Sequence, residues 1–194
     1  MRHALLCQQG RSMIEILGVL AIIGVLSIGG IAGYTKAMEK INTDKLVVDI
    51  STTAHNIKDM YADQKSYEDL DKNVVELNLA TGVRRDETGK KLFHVMNGEV
   101  TIKSIARNKG FVMVYNGLTE KTCAQLASTD WGGSANGLQY MVISPTGIVP
   151  PRGFPSNLDN GEYAAVDLPL SPAEAASHCR CDKLFKCGIA WFYD

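Results

Sequence analysis

"GRSMIEILGVLAIIGVLSIGGIAGY", residues 10–34, is the stretch whose reading decides the fold. It is a run of aliphatic residues and glycines with a single carboxylate, Glu15, near its start. From Ile16 to Tyr34, 19 residues carry no charge. As a helix they span roughly 28 Å, close to the hydrocarbon thickness of a bilayer. A secretory signal is the competing reading, with a charged start, a shorter apolar core and a small-residue cleavage site. Here "MRHALLCQQG" precedes the core with Arg2 as its one strong charge, and "GGIAG" follows it. The length of the core favours an anchor helix.

Glu15 needs an explanation. A carboxylate inside a bilayer costs roughly 2.5–3.5 kcal/mol, so such residues usually have a partner or a function. One solution is an amine in the same apolar layer. If the chain were cut after Gly10, Arg11 would carry a new α-amine close to Glu15. The amine of one copy and the carboxylate of a neighbour would then pair and fix the axial stagger of two helices. The alternative leaves Glu15 at the headgroup level.

Beyond Tyr34 the pattern stays helical. Val47, Ile50, Ala54, Ile57 and Tyr61 recur at spacings of three and four, an apolar stripe on one face, and Lys45, Asp49, Lys58 and Asp59 are expected largely off it. No proline interrupts Ser12 to Asp63. One helix of about 50 residues would be roughly 75 Å long. Two helices broken near "SIGGIAG" are the alternative, since Gly29, Gly30 and Gly33 each weaken a helix by up to ~1 kcal/mol relative to alanine. The single helix, with a soft point at the glycines, is the preferred expectation.

The remainder reads as a globular head. "YEDLDKN" and "TGVRRDETGKK" are expected to be polar loops, the latter a solvated charge run. "LFHVM" and "EVTIKSI" flank Asn97-Gly98, a dipeptide that favours a tight hairpin turn. "FVMVY", "LQYMVIS" and "GIAWFY" are further strands, so an antiparallel sheet is expected. His94 falls in the first strand, where a lone histidine is structural more often than a ligand. "TEKTCAQLAS" and "SPAEAASHC" read as short helices; the second has Ser171 as N-cap, Pro172 in its first turn and Glu174 three residues on. "PTGIVPPRGFPSNLDNG" is a surface loop by composition.

Four cysteines lie in the head: Cys123, Cys179, Cys181 and Cys187. In an exported domain an even number implies two disulfides, with three possible connectivities. Cys123 with Cys179 closes a loop of 57 residues, worth roughly 4 kcal/mol of chain entropy, and Cys181 with Cys187 a small loop worth roughly 2 kcal/mol. That pairing is favoured, and Cys123 with Cys181 stays open. A zinc site from His178, Cys179, Cys181 and Cys187 is the sharper alternative. Its spacing lacks the paired arrangement of common sites, so no metal is expected. Cys7 would leave with the first ten residues.

Net charge is −1, which gives no reason to expect a phosphate-binding surface. No GxSxG, HExxH or phosphate-cradling glycine loop occurs, and the four histidines are scattered. The chain is not expected to be an enzyme, to bind a cofactor or to act on a small-molecule substrate.

The stretch Gly10-Arg-Ser-Met-Ile-Glu15 followed by an aliphatic helix resembles the type IV prepilin signal. The resemblance implies cleavage after Gly10 by a prepilin peptidase, N-methylation of the new terminus, here Arg11, and a docking role for Glu15. The family commonly begins its mature chain with Phe or Met, and this chain has Arg11. "CAQLASTDWG" and "LPLSPAEAASHC" look like the head of type IVb-like major pilins, in which a cysteine of each segment closes a C-terminal disulfide loop. The implied fold is α+β, a long N-terminal helix packed on a C-terminal antiparallel-sheet head. Residues 1–10 would be a leader, 11–34 a transmembrane or filament-core helix, 35–63 its amphipathic continuation and 64–194 the head. The implied life is that of a homo-oligomeric filament subunit. It would begin as a single-pass precursor in the bacterial inner-membrane bilayer, meet the pilus assembly machinery and end in an extracellular pilus. A minor pilin, a type II secretion pseudopilin and a membrane-anchored binding protein that never polymerises are the alternatives.

Overall fold

The computed structural model describes residues 13–147, 163–165, 167–181 and 186–194. Cys7, Gly10 and Arg11, and all but the first three residues of the loop expected at 145–161, lie outside the described residues. The chain divides into two compact units, Met1–Glu39 and Lys40–Asp194.

Helix α1 runs unbroken over Met13–Tyr61, 49 residues. The glycines at 29, 30 and 33 therefore do not interrupt it. Within the second unit α1 buries Leu46, Ile50, Ala54, Ile57 and Tyr61. Leu46 takes the buried place expected of Val47, which is half-buried. Their spacings of four, four, three and four put one apolar face on the core.

The polar loop expected at 67–73 is instead partly helical: α2 spans Leu70–Glu76. Its apolar residues Leu70 and Val74 are four apart and both buried, enough for one turn to dock. No side-chain cap starts it. Tertiary hydrogen bonds do that work, with Asn73 Nδ2 donating to the Tyr61 hydroxyl at 2.7 Å and that hydroxyl donating to Glu68 O at 3.0 Å.

Among the described residues, seven strands form one antiparallel sheet: β1 (Arg84–Arg85), β2 (Leu92–Phe93), β3 (Glu99–Ile105), β4 (Gly110–Leu118), β5 (Leu138–Ser144), β6 (Tyr163–Ala165) and β7 (Cys187–Tyr193). Their spatial order is β1-β2-β3-β4-β7-β5-β6. β1 lies in the expected charge run, and β6 was not legible as a strand. The last strand in sequence is thus central, paired with β4 on one side and β5 on the other. Phe111, Met113, Tyr115, Met141, Ile143, Ile189, Trp191 and Tyr193 share the main core with α1. The alternate residues Val112, Val114, Tyr140, Val142, Ala190 and Phe192 form a second buried cluster. Burial on both sides explains why "FVMVY" and "GIAWFY" are continuous apolar runs rather than alternating ones. Helices α3 (Glu120–Ala127) and α4 (Pro172–His178) pack on each other, and a 3₁₀ turn spans Gly133–Asn136.

The β2–β3 hairpin forms, but not with the expected two-residue turn. Phe93 pairs with Glu99, and His94–Gly98 make a five-residue loop. His94 sits in that loop, 1% exposed. Its Nε2 donates to Asn116 O at 2.8 Å, and Met96 N donates to its Nδ1 at 3.2 Å. Both ring nitrogens are occupied in the neutral form, and burial holds its pKa below the ordinary histidine value. Gly98 permits this contact: a methyl group there would fall 1.8 Å from Asn116 O and 2.2 Å from His94 Nε2. Gly98→Ala is therefore expected to destabilise the head by about 1–3 kcal/mol. Urea unfolding followed by tryptophan fluorescence in detergent checks this; a change within error would show that the loop yields freely.

Candidate functional site

Two regions carry chemistry that the fold does not itself require. The first is the N-terminal part of α1. Every described residue from Met13 to Ala37 is exposed. Ile14 is 77% exposed, Leu26 68% and Ile28 72%. By length and composition this helix is able to cross a membrane. Glu15 stands exposed in its first turn, where the partial positive charge of the helix N-terminus favours a carboxylate. Gly10 and Arg11, read with Glu15 from sequence, lie outside the described residues.

The second region is the cysteine cluster. Thr119 caps α3, its hydroxyl accepting from Thr122 N at 3.2 Å. Ser171 caps α4 with a reciprocal box: Glu174 N donates to Ser171 Oγ, and Ser171 N donates to Glu174 Oε2 at 3.0 Å. These caps fix the two helices that present Cys123 and Cys179. Cys123 is bonded to Cys179 with Cα atoms 5.7 Å apart, and Cys181 to Cys187 with Cα atoms 5.0 Å apart. Cys123, Cys179 and Cys187 are buried, whereas Cys181 is half-buried. The first bond ties α4 to α3; the second ties the chain after α4 to the start of β7. His178 stacks on Tyr163, ring centroids 3.5 Å apart and planes 6° from parallel. All four ligands of the zinc alternative therefore have other engagements, and no set of three metal-binding side chains occurs among the described residues.

A third feature had no clear signal in the sequence. On the buried face of α1, polar residues alternate with the apolar ones. The Thr43 and Thr122 hydroxyls meet at 2.9 Å. Thr53 Oγ1 accepts from Thr81 N at 2.9 Å, and Asn56 Nδ2 donates to Leu79 O at 3.0 Å. Asp49, expected off the apolar stripe, lies instead on this same buried face, 6% exposed, because it falls one residue from Ile50 on the helix. Thr53 and Asn56 strap Leu79–Thr81 onto α1, while Thr43 joins α1 to α3. The only hint was polar residues adjoining the apolar stripe, Asp49 beside Ile50 and Thr53 beside Ala54.

Helix α1 exposes an apolar part of membrane-spanning length, and the second unit is an antiparallel-sheet head closed by disulfides. The chain belongs to the PilS N terminal family, whose model matches residues 40–185, and so to a pilin-related family of pilus-type subunits. No curated protein sequence matches it. Among solved structures it is similar to TcpA, a type IV pilin from Vibrio cholerae El Tor biotype, at 12% identity and a TM-score of 0.49, covering 79% of this chain and 99% of that one.

If the disulfides hold the head together, replacing Cys123 and Cys179 by serine costs about 4 kcal/mol, and replacing Cys181 and Cys187 about 2 kcal/mol. Denaturant midpoints of the two double variants read this difference. Equal losses would show that loop length does not set the stabilisation.

Proposed function

We propose that the chain is the structural subunit of a type IV pilus of type IVb-like kind. It is inserted in the bacterial inner membrane as a prepilin of domain plan 1–10, 11–34, 35–63 and 64–194. A prepilin peptidase cuts between Gly10 and Arg11, and Arg11 becomes the new, N-methylated terminus. The subunit then leaves the bilayer through the assembly machinery and polymerises through α1.

The observation that carries this reading is the pairing of two facts about one helix. Its apolar half is wholly exposed within the chain, and the sequence places one carboxylate, Glu15, five residues after Gly10. In the filament, Glu15 meets the α-amine of Arg11 of a neighbouring copy. Desolvation makes an unpartnered Glu15 costly, so only staggers that supply the amine are tolerated. The disulfide-closed end of the head favours a pilin over a secretion pseudopilin. A minor pilin shares every feature named here, and abundance in sheared surface filaments separates the two.

The intact mass of the mature protein tests the processing step: loss of residues 1–10, with or without one added methyl group, is expected. An uncleaved N-terminus would support a membrane-anchored protein that never polymerises. Glu15→Ala is expected to abolish or sharply reduce filaments on electron micrographs while leaving precursor in the membrane. Filament yield unchanged in that variant would end the docking role.

A further inference from the structure

The polar strap on α1 contains one group that the fold leaves in an unusual state. Asp49 is 6% exposed, and its Oδ2 is buried with no hydrogen-bond partner among the described residues. The strap lies directly on it. Gly82 has φ +67°, and a methyl group there would fall 1.8 Å from Asp49 Oδ2 and 2.6 Å from Oδ1. Glycine is thus required twice over, for its left-handed backbone and for its closeness to the carboxyl. Two hydrogen bonds hold the strap beside this contact, Thr81 N to Thr53 Oγ1 and Asn56 Nδ2 to Leu79 O. Both lie on the same helix face as Asp49, one and two turns further along α1.

The charge surroundings are sparse. Lys45, four residues earlier on α1, is the cation in reach, and it favours the ionised form. Tyr115 on β4 faces Thr53 and feels Asp49 electrostatically. The strap residues Leu79, Ala80, Thr81 and Gly82 carry no ionisable side chain. Arg84 and Arg85 just beyond them are committed elsewhere, to Asn97 Oδ1 and to Val75 O respectively. Desolvation outweighs Lys45, and the Asp49 carboxyl sits above the ordinary carboxylate range.

We propose that Asp49 is a proton-operated latch between α1 and the Leu79–Gly82 strap: neutral, it lets the strap seat; ionised, it pushes the strap toward release. The ionised carboxylate needs donors or water at Oδ2, and the backbone of Gly82 in contact with the carboxyl leaves room for neither. Opening the strap hydrates Oδ2 and frees the amide of Thr81 from Thr53. The sign follows from linkage. A carboxyl whose pKa is raised in the closed form stabilises that form at low pH. The stabilisation is lost as pH rises from the ordinary aspartate value through the raised one. The head thus holds its strap most tightly below the ordinary aspartate value and loosens it as pH rises through the raised one, without unfolding the sheet. This inference rests on the head alone and does not depend on the filament reading.

Hydrogen exchange of the full chain in detergent micelles, read at the Thr81 amide from pH 4 to pH 8, tests it. Asp49→Asn measured at each pH removes the intrinsic pH dependence of exchange. The ratio of strap opening in the native chain to that in Asp49→Asn is expected to rise with pH, by about tenfold for each unit that burial raises the carboxyl. A ratio that stays flat from pH 4 to pH 8 overturns the latch. If Asp49→Asn fails to fold, titration of the Asp49 carboxyl carbon by NMR in the native chain decides: a pKa at or below the ordinary aspartate value overturns it, and a raised one upholds it. Gly82→Ala is expected to expose the strap at every pH, which separates the contact from the charge.

Discussion

The head depends on where β7 lies. The last strand of the chain, Cys187–Tyr193, is fully buried and inserts between β4 and β5, two strands that precede it by many residues. Without it the sheet falls into two pieces, β1–β4 and β5–β6, each with an open edge. It also carries three consecutive aromatic side chains, Trp191, Phe192 and Tyr193. Trp191 meets Tyr115 and Trp131 edge-on, and Tyr193 stacks on Phe111 at 4.8 Å between ring centroids. Such a strand must find partners far away in sequence, which makes its insertion slow and entropically costly. The two disulfides act on this cost. Cys187 is the first residue of β7, so the bond to Cys181 brings the strand to the end of α4. The bond from Cys179 to Cys123 then brings α4 to α3, next to the end of β4. The crosslinks form a chain of tethers leading from the middle of the head to the strand that completes it.

The last residue of the same strand, Tyr193, also meets α1. Lys58 sits 4.7 Å above the Tyr193 ring, a cation–π contact. Burial lowers the Lys58 pKa, and Asp194 opposes the shift. The second half of α1 is therefore held in two ways: by apolar contacts along Leu46–Tyr61, and by polar contacts at Thr43, Thr53 and Asn56. The apolar contacts supply most of the favourable energy, at roughly 1.5–3 kcal/mol for each large side chain removed from water. The polar ones fix where along the helix the head can sit, since a slip of one residue would leave buried hydroxyls and an amide unpaired.

What the sequence disclosed and what it hid follow from this division. The length of α1, the two capped short helices and the three apolar strands were legible, because proline absence, cap chemistry and apolar runs are local signals. α2 was missed because it begins at Asp69 without a cap and is completed by Asn73 and Tyr61, which are distant in the pattern. β1 was missed because Arg84 and Arg85 are strand residues only by pairing with Phe93 and Leu92. His94 was placed in a strand because nothing local reveals that Gly98 lets it turn inward to Asn116. The order of strands could not be read at all: a C-terminal strand at the edge and one at the centre have the same composition. At the candidate site, the spacing of Gly10 and Glu15 and the cysteines were plain in the sequence. Asp49 was not, because its charged side chain reads as solvent-facing beside an apolar stripe.

The exposed half of α1 poses a final physical question, which concerns what drives and what directs its association. In water, burying Ile14, Leu26 and Ile28 with their neighbours would gain tens of kcal/mol at the usual value per side chain, so this surface cannot stay in water. A bilayer already satisfies it, since lipid tails are as apolar as leucine. Moving the helix from lipid to a bundle of its own copies therefore gains little from hydrophobicity. The gain must come from contacts that lipid cannot make as well. Gly18, Gly24, Gly29, Gly30 and Gly33 have open space where a Cβ would stand, and missing side chains let helix backbones approach closely. Glu15 is the one carboxylate among residues 10–34, and lipid disfavours it. On the proposed assembly the aliphatic residues choose the apolar phase, the glycines permit close packing, and the single carboxylate selects among the staggers that packing allows.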